Sequence, residues 1–143
     1  MTQIQRQIDT LIIRLKRMDA LSDVRFVREY GSGAIETPVK GMTAVVGITQ
    51  TTREKGYIGG FLSSSVRGET YGVKAEIRLY APADENGSGL SERVSELMSG
   101  LNTADKEHLI TDTRASSIEF DPNTNSVFRK VEFDMEFCLC EEG

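Results

Sequence analysis

The sequence predicts an α+β domain, in which an antiparallel or mixed β-sheet carries two amphipathic helices on one face. Two segments, Thr2–Met18 and Leu90–Leu101, repeat apolar residues at spacings of three and four, as amphipathic helices do. Two others, Tyr71–Ala81 and the final segment from Val131, alternate apolar and polar residues with the period of a strand. Most predicted strands follow one another locally, which favours antiparallel pairing. We therefore expect a single domain over residues 1–143.

The first part of the chain is predicted to contain one helix and two strands. The helix has a single apolar stripe: Ile4, Ile8, Leu11, Ile12, Leu15 and Met18. Its charged residues, among them Asp9, are expected largely on the opposite face. Val24–Tyr30 is rich in β-forming residues and predicts a short strand. A second strand region opens at Pro38 and includes the mostly apolar run Met42–Ile48.

Residues 49–70 form a polar, glycine-rich stretch. A structureless loop of that length is unusual in a compact domain, so an extended β-arm is one interpretation. Its turn would lie near Arg53–Gly56, and Leu62 would lie on its returning side. A long surface loop is the alternative that the sequence leaves open. If residues 49–70 form an arm, its candidate interface residues are Arg53, Glu54, Lys55, Tyr57, Ile58 and Phe61.

The middle of the chain predicts a half-buried strand followed by a helix. In Tyr71–Ala81 the apolar positions alternate with Gly72, Lys74, Glu76, Arg78 and Tyr80, so we expect one buried and one wetted face. Pro82 ends this strand, and a turn-rich link leads to the helix Leu90–Leu101. Ser88 or Ser91 is the expected N-cap, and Gly100 is expected to weaken the helix end.

The last third predicts an antiparallel hairpin. One strand spans His108–Asp121, residues 121–125 have the composition of a turn, and a final strand follows. The final strand alternates strictly, with one face formed by Val131, Phe133, Met135, Phe137 and Leu139. The opposite face carries an acidic row, which we define as Glu132, Asp134 and Glu136. A register slip of one residue would bury these carboxylates, so the pairing is strongly specified.

Composition excludes several classes of function. The net charge of −5 at pH 7 argues against a nucleic-acid-binding protein, which normally has a basic surface. No apolar run approaches the roughly 20 residues of a membrane-spanning helix, and the first helix lacks the apolar region of a signal peptide, so a cytoplasm-like compartment is expected. Cys138 and Cys140 lack further cysteines with which to bind zinc, and His108 is the only histidine.

No arrangement of residues in the sequence indicates catalysis or a cofactor. Nothing near His108 marks a nucleophile that it would activate, so a surface or strand-end histidine is the better interpretation. The acidic row follows a strand period opposite the core, which is typical of a solvated or interface face rather than an acid–base pair. The glycine groups match neither a P-loop nor a dinucleotide-binding motif. We therefore predict no enzyme activity, no cofactor and no metal.

Taken in order, these features resemble the tail terminator, or tail completion, proteins of long-tailed bacteriophages and related tail-like particles. Four features carry the resemblance over nearly the whole chain. They are the first helix with its short strand, the strand Pro38–Gly47 leading into the glycine-rich stretch, the unit Val73–Pro82 with the following helix, and the closing hairpin through Ile118–Pro122. The likeness lies in pattern and order, because that family has no short diagnostic motif.

The resemblance implies a structural protein of the virion tail or neck, assembled in the bacterial cytoplasm. Such subunits form a homo-hexameric ring that caps the tail tube, stops its polymerisation and joins the tail to the head connector. The implied partners are other copies of the chain, the tail tube protein and the connector or neck protein, with the tail sheath as a further candidate. DNA would pass through the ring without specific binding, and no membrane is involved. We hypothesise that Glu132, Asp134 and Glu136 face the lumen of such a ring.

Three alternatives stay open at the level of sequence. The chain is also compatible with another ring protein of the neck or head–tail junction. A small α+β ligand-binding domain unrelated to phages is a second alternative. The third is a monomeric adaptor that binds peptides at its sheet edge.

Overall fold

The computed structural model describes residues 3–28, 41–53, 66–82, 89–122 and 125–142. Along the chain it contains helix α1 (Gln3–Lys16), a 3₁₀ turn (Asp19–Leu21), strands β1 (Arg25–Arg28), β2 (Thr43–Arg53) and β3 (Val66–Pro82), helix α2 (Leu90–Ala104), and strands β4 (Ile110–Ala115), β5 (Glu119–Asp121) and β6 (Ser126–Glu142). The described strands form one open sheet with the order β1-β2-β3-β6-β4, and β5 also pairs with β6. The α+β prediction is confirmed.

The sheet is mixed, and its centre is one long antiparallel pair. β1 runs parallel to β2, whereas the other described neighbours are antiparallel. β3 and β6 each have 17 residues and pair along their whole length, from Val66↔Glu142 to Pro82↔Ser126. Among the described residues, β2 pairs with β3 as far as Tyr71, and β4 pairs with β6 as far as Met135. Beyond those points, Val66–Thr70 and Cys138–Glu142 continue to pair with each other, and we call this pair the β3–β6 ribbon.

One face of the sheet, the inner face, carries the hydrophobic core. Ala75 pairs with Phe133 and Ile77 pairs with Val131, and these four side chains are at most 1% exposed. The alternation seen in the sequence therefore specifies both the face and the register, because a shift of one residue would exchange apolar for charged side chains. The opposite face is called the outer face below.

Both helices cover the inner face with their predicted apolar stripes. Core residues of α1 and α2 are buried together: Ile8, Leu11, Ile12, Leu15, Leu90, Val94, Leu97 and Leu101. Gly100 lies where α2 approaches α1, because a Cβ atom there would be 3.0 Å from both Leu15 Cδ2 and Met18 Sδ. The helix continues to Ala104. The predicted helix end at Leu101 was therefore too early, and Gly100 serves the close approach of two elements.

The helix termini also differ from the sequence prediction. Gly89 occupies the N-cap position of α2 with a φ of 79°, and no side chain caps the helix. Ser91 lies inside the helix, so its predicted role as N-cap was wrong, and Ser88 lies outside the described residues. At the other end, the buried Asp105 accepts hydrogen bonds from the backbone N–H groups of Leu109 and Ile110 at 2.8 and 2.9 Å. This carboxylate connects the end of α2 to the start of β4.

Asp9 departs from the polar face predicted for α1. It is 8% exposed, and its Oδ1 lies 2.9 Å from Nη1 of Arg28 on β1. A buried carboxylate needs such a partner to compensate for lost hydration. The ion pair ties α1 to the β1 side of the sheet, which helical periodicity alone does not predict.

The predicted hairpin is confirmed, but its first strand is divided. β4 and β5 both pair with β6, and residues 116–118 between them are not in a strand. Ser116 still bonds to β6, because its N–H donates to Lys130 O at 2.9 Å. The turn that joins β5 to β6 begins after Asp121, which pairs with Ser126. A split strand leaves the sheet edge irregular at this point.

Both ends of the predicted arm are strands. Residues 49–53 belong to β2, which has an irregular register between Ile48 and Gln50, and residues 66–70 belong to β3. Arg53, predicted near the turn, instead pairs with Tyr71 as the last residue of β2, so any turn lies further along the chain. Residues 54–65, which include the remaining predicted arm positions, lie outside the described residues.

Candidate interaction surface

The acidic row lies on the outer face of β6, as predicted, but Arg114 neutralises much of its charge. Arg114 of β4 reaches across the strands and donates from Nε to Glu132 Oε2 at 3.2 Å. Its two terminal nitrogens donate to the Asp134 carboxylate at 3.2 and 3.3 Å, and Nη1 also donates to Asp112 at 3.2 Å. These contacts, the hydrogen bond to Asp134 above all, raise the pKa of Arg114. Two of the three row carboxylates thus share one guanidinium.

The register places like charges opposite each other on this face. Asp112 pairs with Asp134, and Glu76 of β3 pairs with Glu132. Like charges directly across a sheet repel, so each pair requires a compensating cation. Arg114 supplies it for the first pair. For the second pair, Arg78 also contributes, because its Nε donates to Glu76 Oε1 at 2.6 Å.

Arg78 lies between two neighbours on its own strand. Its side chain bonds to Tyr80 and to Glu76, and these bonds raise its pKa although partial burial lowers it. Glu76 and Tyr80 are only 7% and 3% exposed. The prediction that this face of β3 is wetted was therefore wrong at these two positions. The Tyr80 ring lies 5.2 Å from the Phe128 ring between centroids, at an interplanar angle of 36°.

The opposite end of the outer face is open. Gly72 has no side chain, and it pairs with Thr52 on one side and Glu136 on the other. A groove of about 280 Å³ results, lined by Thr52, Gly72, Val73, Lys74, Thr111, Asp134, Met135 and Glu136. Lys74 and Glu136 are exposed at its rim. The groove presents one ammonium group and two carboxylates to a partner.

Charges of both signs cover the outer face. Among the described side chains of β3, β4 and β6, it carries the cations Lys74, Arg78, Arg114 and Lys130 and the anions Glu76, Asp112, Glu132, Asp134 and Glu136. The field of the acidic row is consequently weaker than the sequence suggests. An orientation of the row toward a ring lumen stays a prediction. The arrangement is suited to electrostatic complementarity with another protein surface, which gives specificity and orientation more than affinity.

The part of the chain that the structure describes contains neither a metal-binding cluster nor a membrane-spanning helix. Among them, no cluster of three or more His, Cys, Asp or Glu side chains is arranged to hold a metal ion. His108 is exposed, two residues before β4, with a φ of 56°. This position agrees with the predicted strand-end histidine. None of the described helices is both long and apolar enough to cross a bilayer.

The other predicted contact residues are only partly accounted for. Arg53 lies at the end of β2, while Glu54, Lys55, Tyr57, Ile58 and Phe61 lie outside the described residues. Arg114 was not predicted from the sequence, although Arg114 and Asp112 are two residues apart and so lie on the same face of a strand. The exposure of Ile118 and Phe120 at the β5 edge, 50% and 58%, was not predicted either. Both features depend on the order of the strands in the sheet, which the sequence does not give.

No protein-family model matches the chain, and no curated protein matches its sequence.

Proposed function

We propose that the chain is a structural assembly subunit of the tail-terminator kind. In this role it forms a homo-hexameric ring that caps a phage tail tube, stops tube polymerisation and joins the tail to the head connector or neck protein. The tail tube protein is the principal partner, DNA passes without specific binding, and no catalysis is involved. The proposal begins from the sequence resemblance.

The β3–β6 ribbon is the feature of the fold that supports this proposal best. The β3–β6 ribbon extends past the neighbouring described strands at the end of the sheet where residues 54–65 connect β2 to β3. A long antiparallel pair at one end of a packed sheet offers its backbone to another subunit without disturbing the core. Ring subunits require such contacts on two different surfaces, because closure is head to tail.

The groove at Gly72 favours a second candidate, a small ligand-binding domain. Its volume of about 280 Å³ is at the lower limit of the roughly 300–1,000 Å³ of typical ligand pockets. Charged residues, Lys74, Asp134 and Glu136, form much of its lining. Ligand pockets are lined mainly by apolar and aromatic side chains, so we rank assembly first.

The test is assembly with the tail tube protein encoded in the same genome. Tube protein would be polymerised with and without the chain, and the products would be examined by negative-stain electron microscopy. We expect shorter tubes of limited length with a ring at one end. Tubes that grow to the same length and bind none of the chain would refute the capping function.

A matched variant tests the predicted arm. A shorter Gly/Ser linker would replace residues 54–65 while the described strands are left intact. We expect weaker ring or tube contacts with an unchanged circular dichroism spectrum. Unchanged assembly would remove the arm, including Glu54, Lys55, Tyr57, Ile58 and Phe61, from the interface.

A further inference from the structure

Strand β4 has one side without a neighbour among the described strands, because it is the last strand in the order of the sheet. Just after β4, the N–H of Ser116 donates to Lys130 O of β6. Residues of an antiparallel pair alternate between bonding and non-bonding positions, so Arg114 also bonds toward β6, whereas the backbone groups of Thr113 and Ala115 point away from it. No described residue bonds to these outward N–H and C=O groups. This edge can therefore accept a further strand.

The edge of β4 has little of the usual protection against pairing. Lysine, proline and β-bulges commonly protect edge strands. β4 contains neither lysine nor proline, and its irregular register lies at one end, between Ile110 and Asp112. Beside the strand, a groove of about 270 Å³ lies between β4 and the end of α2, with Asn102 and Asp105 in its wall. An added strand would thus find space next to the edge.

The charges of β4 are complementary to those of a second, antiparallel β4. If the twofold axis passes through Thr113, Asp112 of each copy lies opposite Arg114 of the other. The two Thr113 residues then lie opposite each other, and their outward N–H and C=O groups form a hydrogen-bonded pair. The side chain of Asp112 is 62% exposed and that of Arg114 is 40% exposed, so a second copy can reach both.

The same register brings apolar residues together at both ends of the paired strands. Ile118 lies three residues after β4 and is 50% exposed. It would approach Leu109 and Ile110 of the other copy, which are half-buried. The interface is nevertheless small compared with the roughly 800 Å² per partner of a stable complex. Association should therefore be weak and depend on concentration.

We propose that the free chain forms a dimer in which the β4 strands of two copies pair antiparallel about Thr113. The two sheets then continue into each other. This contact is isologous, whereas a ring closes head to tail, so the dimer goes beyond the proposed ring and does not depend on it. In the dimer each copy covers the open edge of the other, which prevents pairing with strands of other proteins.

A proline at the centre of β4 tests the backbone pairing. Thr113→Pro removes the outward N–H, and the subunit should tolerate it because β6 does not use this group. Thr113→Val keeps the N–H and is the control. Sedimentation velocity over a concentration series measures dimerisation, and thermal melting checks folding. We expect Thr113→Pro to lose dimerisation and Thr113→Val to retain it.

Charge exchange tests the register. Asp112→Lys opposes like charges twice across the interface, while within one copy it removes the like-charge pair with Asp134. We expect dimerisation about tenfold weaker than that of the unmodified chain. Adding Arg114→Glu to the same chain restores opposite charges across the interface and the original net charge, so dimerisation should recover. Glu96→Lys makes the same change of charge at an exposed site on α2 and should have no effect.

Several outcomes would overturn this inference. An unmodified chain that stays monomeric throughout the concentration series would do so, as would a Thr113→Pro variant that dimerises normally. Equal losses in Thr113→Pro and Thr113→Val would mean that the side chain, and not the backbone, makes the contact. A folded double variant, Asp112→Lys with Arg114→Glu, that does not recover would exclude the register about Thr113. None of these results decides the proposed function, which depends on whether the chain caps tubes.

Discussion

The two faces of the sheet are built from the same strands and are stabilised in different ways. On the inner face, Phe133 and Ile77 lie under two helices and are almost fully buried. On the outer face, the neighbouring Glu132 and Arg78 belong to a network of charges that is open to water along much of its length. The inner face depends on apolar burial, which is strong and non-directional. The outer face depends on compensated charges, which contribute little stability but define a pattern that another protein can recognise.

The largest difference in lost stability is expected between substitutions at two adjacent residues of β6, Phe133 and Glu132. Phe133→Ala leaves a cavity between the sheet and the helices, so unfolding should require about 3–5 kcal/mol less free energy. Glu132→Ala removes one ion pair on the outer face and should cost less than about 1 kcal/mol. Urea denaturation of both variants measures the two changes. Equal losses would show that the faces do not differ in this way.

A smaller effect is expected where the helices approach each other. Gly100→Ala gains helix propensity, worth about 1 kcal/mol, but its Cβ would lie 3.0 Å from Leu15 Cδ2 and Met18 Sδ. Leu15 is completely buried, so we expect crowding of about 1–3 kcal/mol to exceed the gain. The net change should be a modest destabilisation, measured by thermal or urea unfolding.

Ser99→Ala is the control for Gly100→Ala, because Ser99 is exposed and next to it on the same helix. Ser99→Ala should be close to neutral. If Gly100→Ala stabilises the protein, the side chains of Leu15 and Met18 can move aside at little cost, which would contradict the expected crowding.

The stability lost on substitution should depend on salt at the outer face but not at the inner face. Arg114→Ala leaves Asp112 and Asp134 opposite each other without their common cation, so a loss of about 1 kcal/mol is expected at low ionic strength. Added salt screens exposed charges, so the loss should shrink at high salt. The cost of Phe133→Ala should not decrease with salt.

Urea denaturation at two salt concentrations makes this test. Lys106→Ala removes one exposed positive charge away from this face and serves as the control. A salt-independent effect of Arg114→Ala would indicate that the side chain acts through packing instead.

The inner face could be predicted from the sequence, and the outer face only in part. Period-two alternation in Tyr71–Ala81 and from Val131 was enough to identify the core positions, because burial imposes that pattern on a strand. The partners of Arg114 depend on which strands are neighbours and on their register. The separate roles of Asp9 and Gly100 depend on how α1 and α2 approach the sheet and each other. The local sequence pattern gives neither the order and register of the strands nor the way in which the helices pack.

The smallest predicted effect is on the pH dependence of the free energy of unfolding, and it concerns the ion pair between Asp23 and Arg93. Arg93 of α2 donates to both oxygens of Asp23, from Nε at 3.0 Å and from Nη2 at 2.9 Å, and this bond lowers the pKa of Asp23. A carboxyl whose pKa is lower in the folded chain stabilises it fully above the unfolded pKa of about 4. That contribution is lost as the pH falls through the folded pKa. Asp23→Asn should therefore lower the free energy of unfolding slightly at pH 7.

The pH dependence distinguishes this contribution from a general effect of the substitution. The unfolding free energies of the unmodified chain and of Asp23→Asn should converge as the pH falls below about 4, because protonation removes the charge from the aspartate. Asp19→Asn, at an exposed site nearby in the chain, is the control for the loss of one surface carboxylate. Urea denaturation between pH 7 and pH 3 measures the difference. If the difference in unfolding free energy persists at the lowest pH, Asp23 stabilises the turn before β1 through its hydrogen bonds and not through its charge.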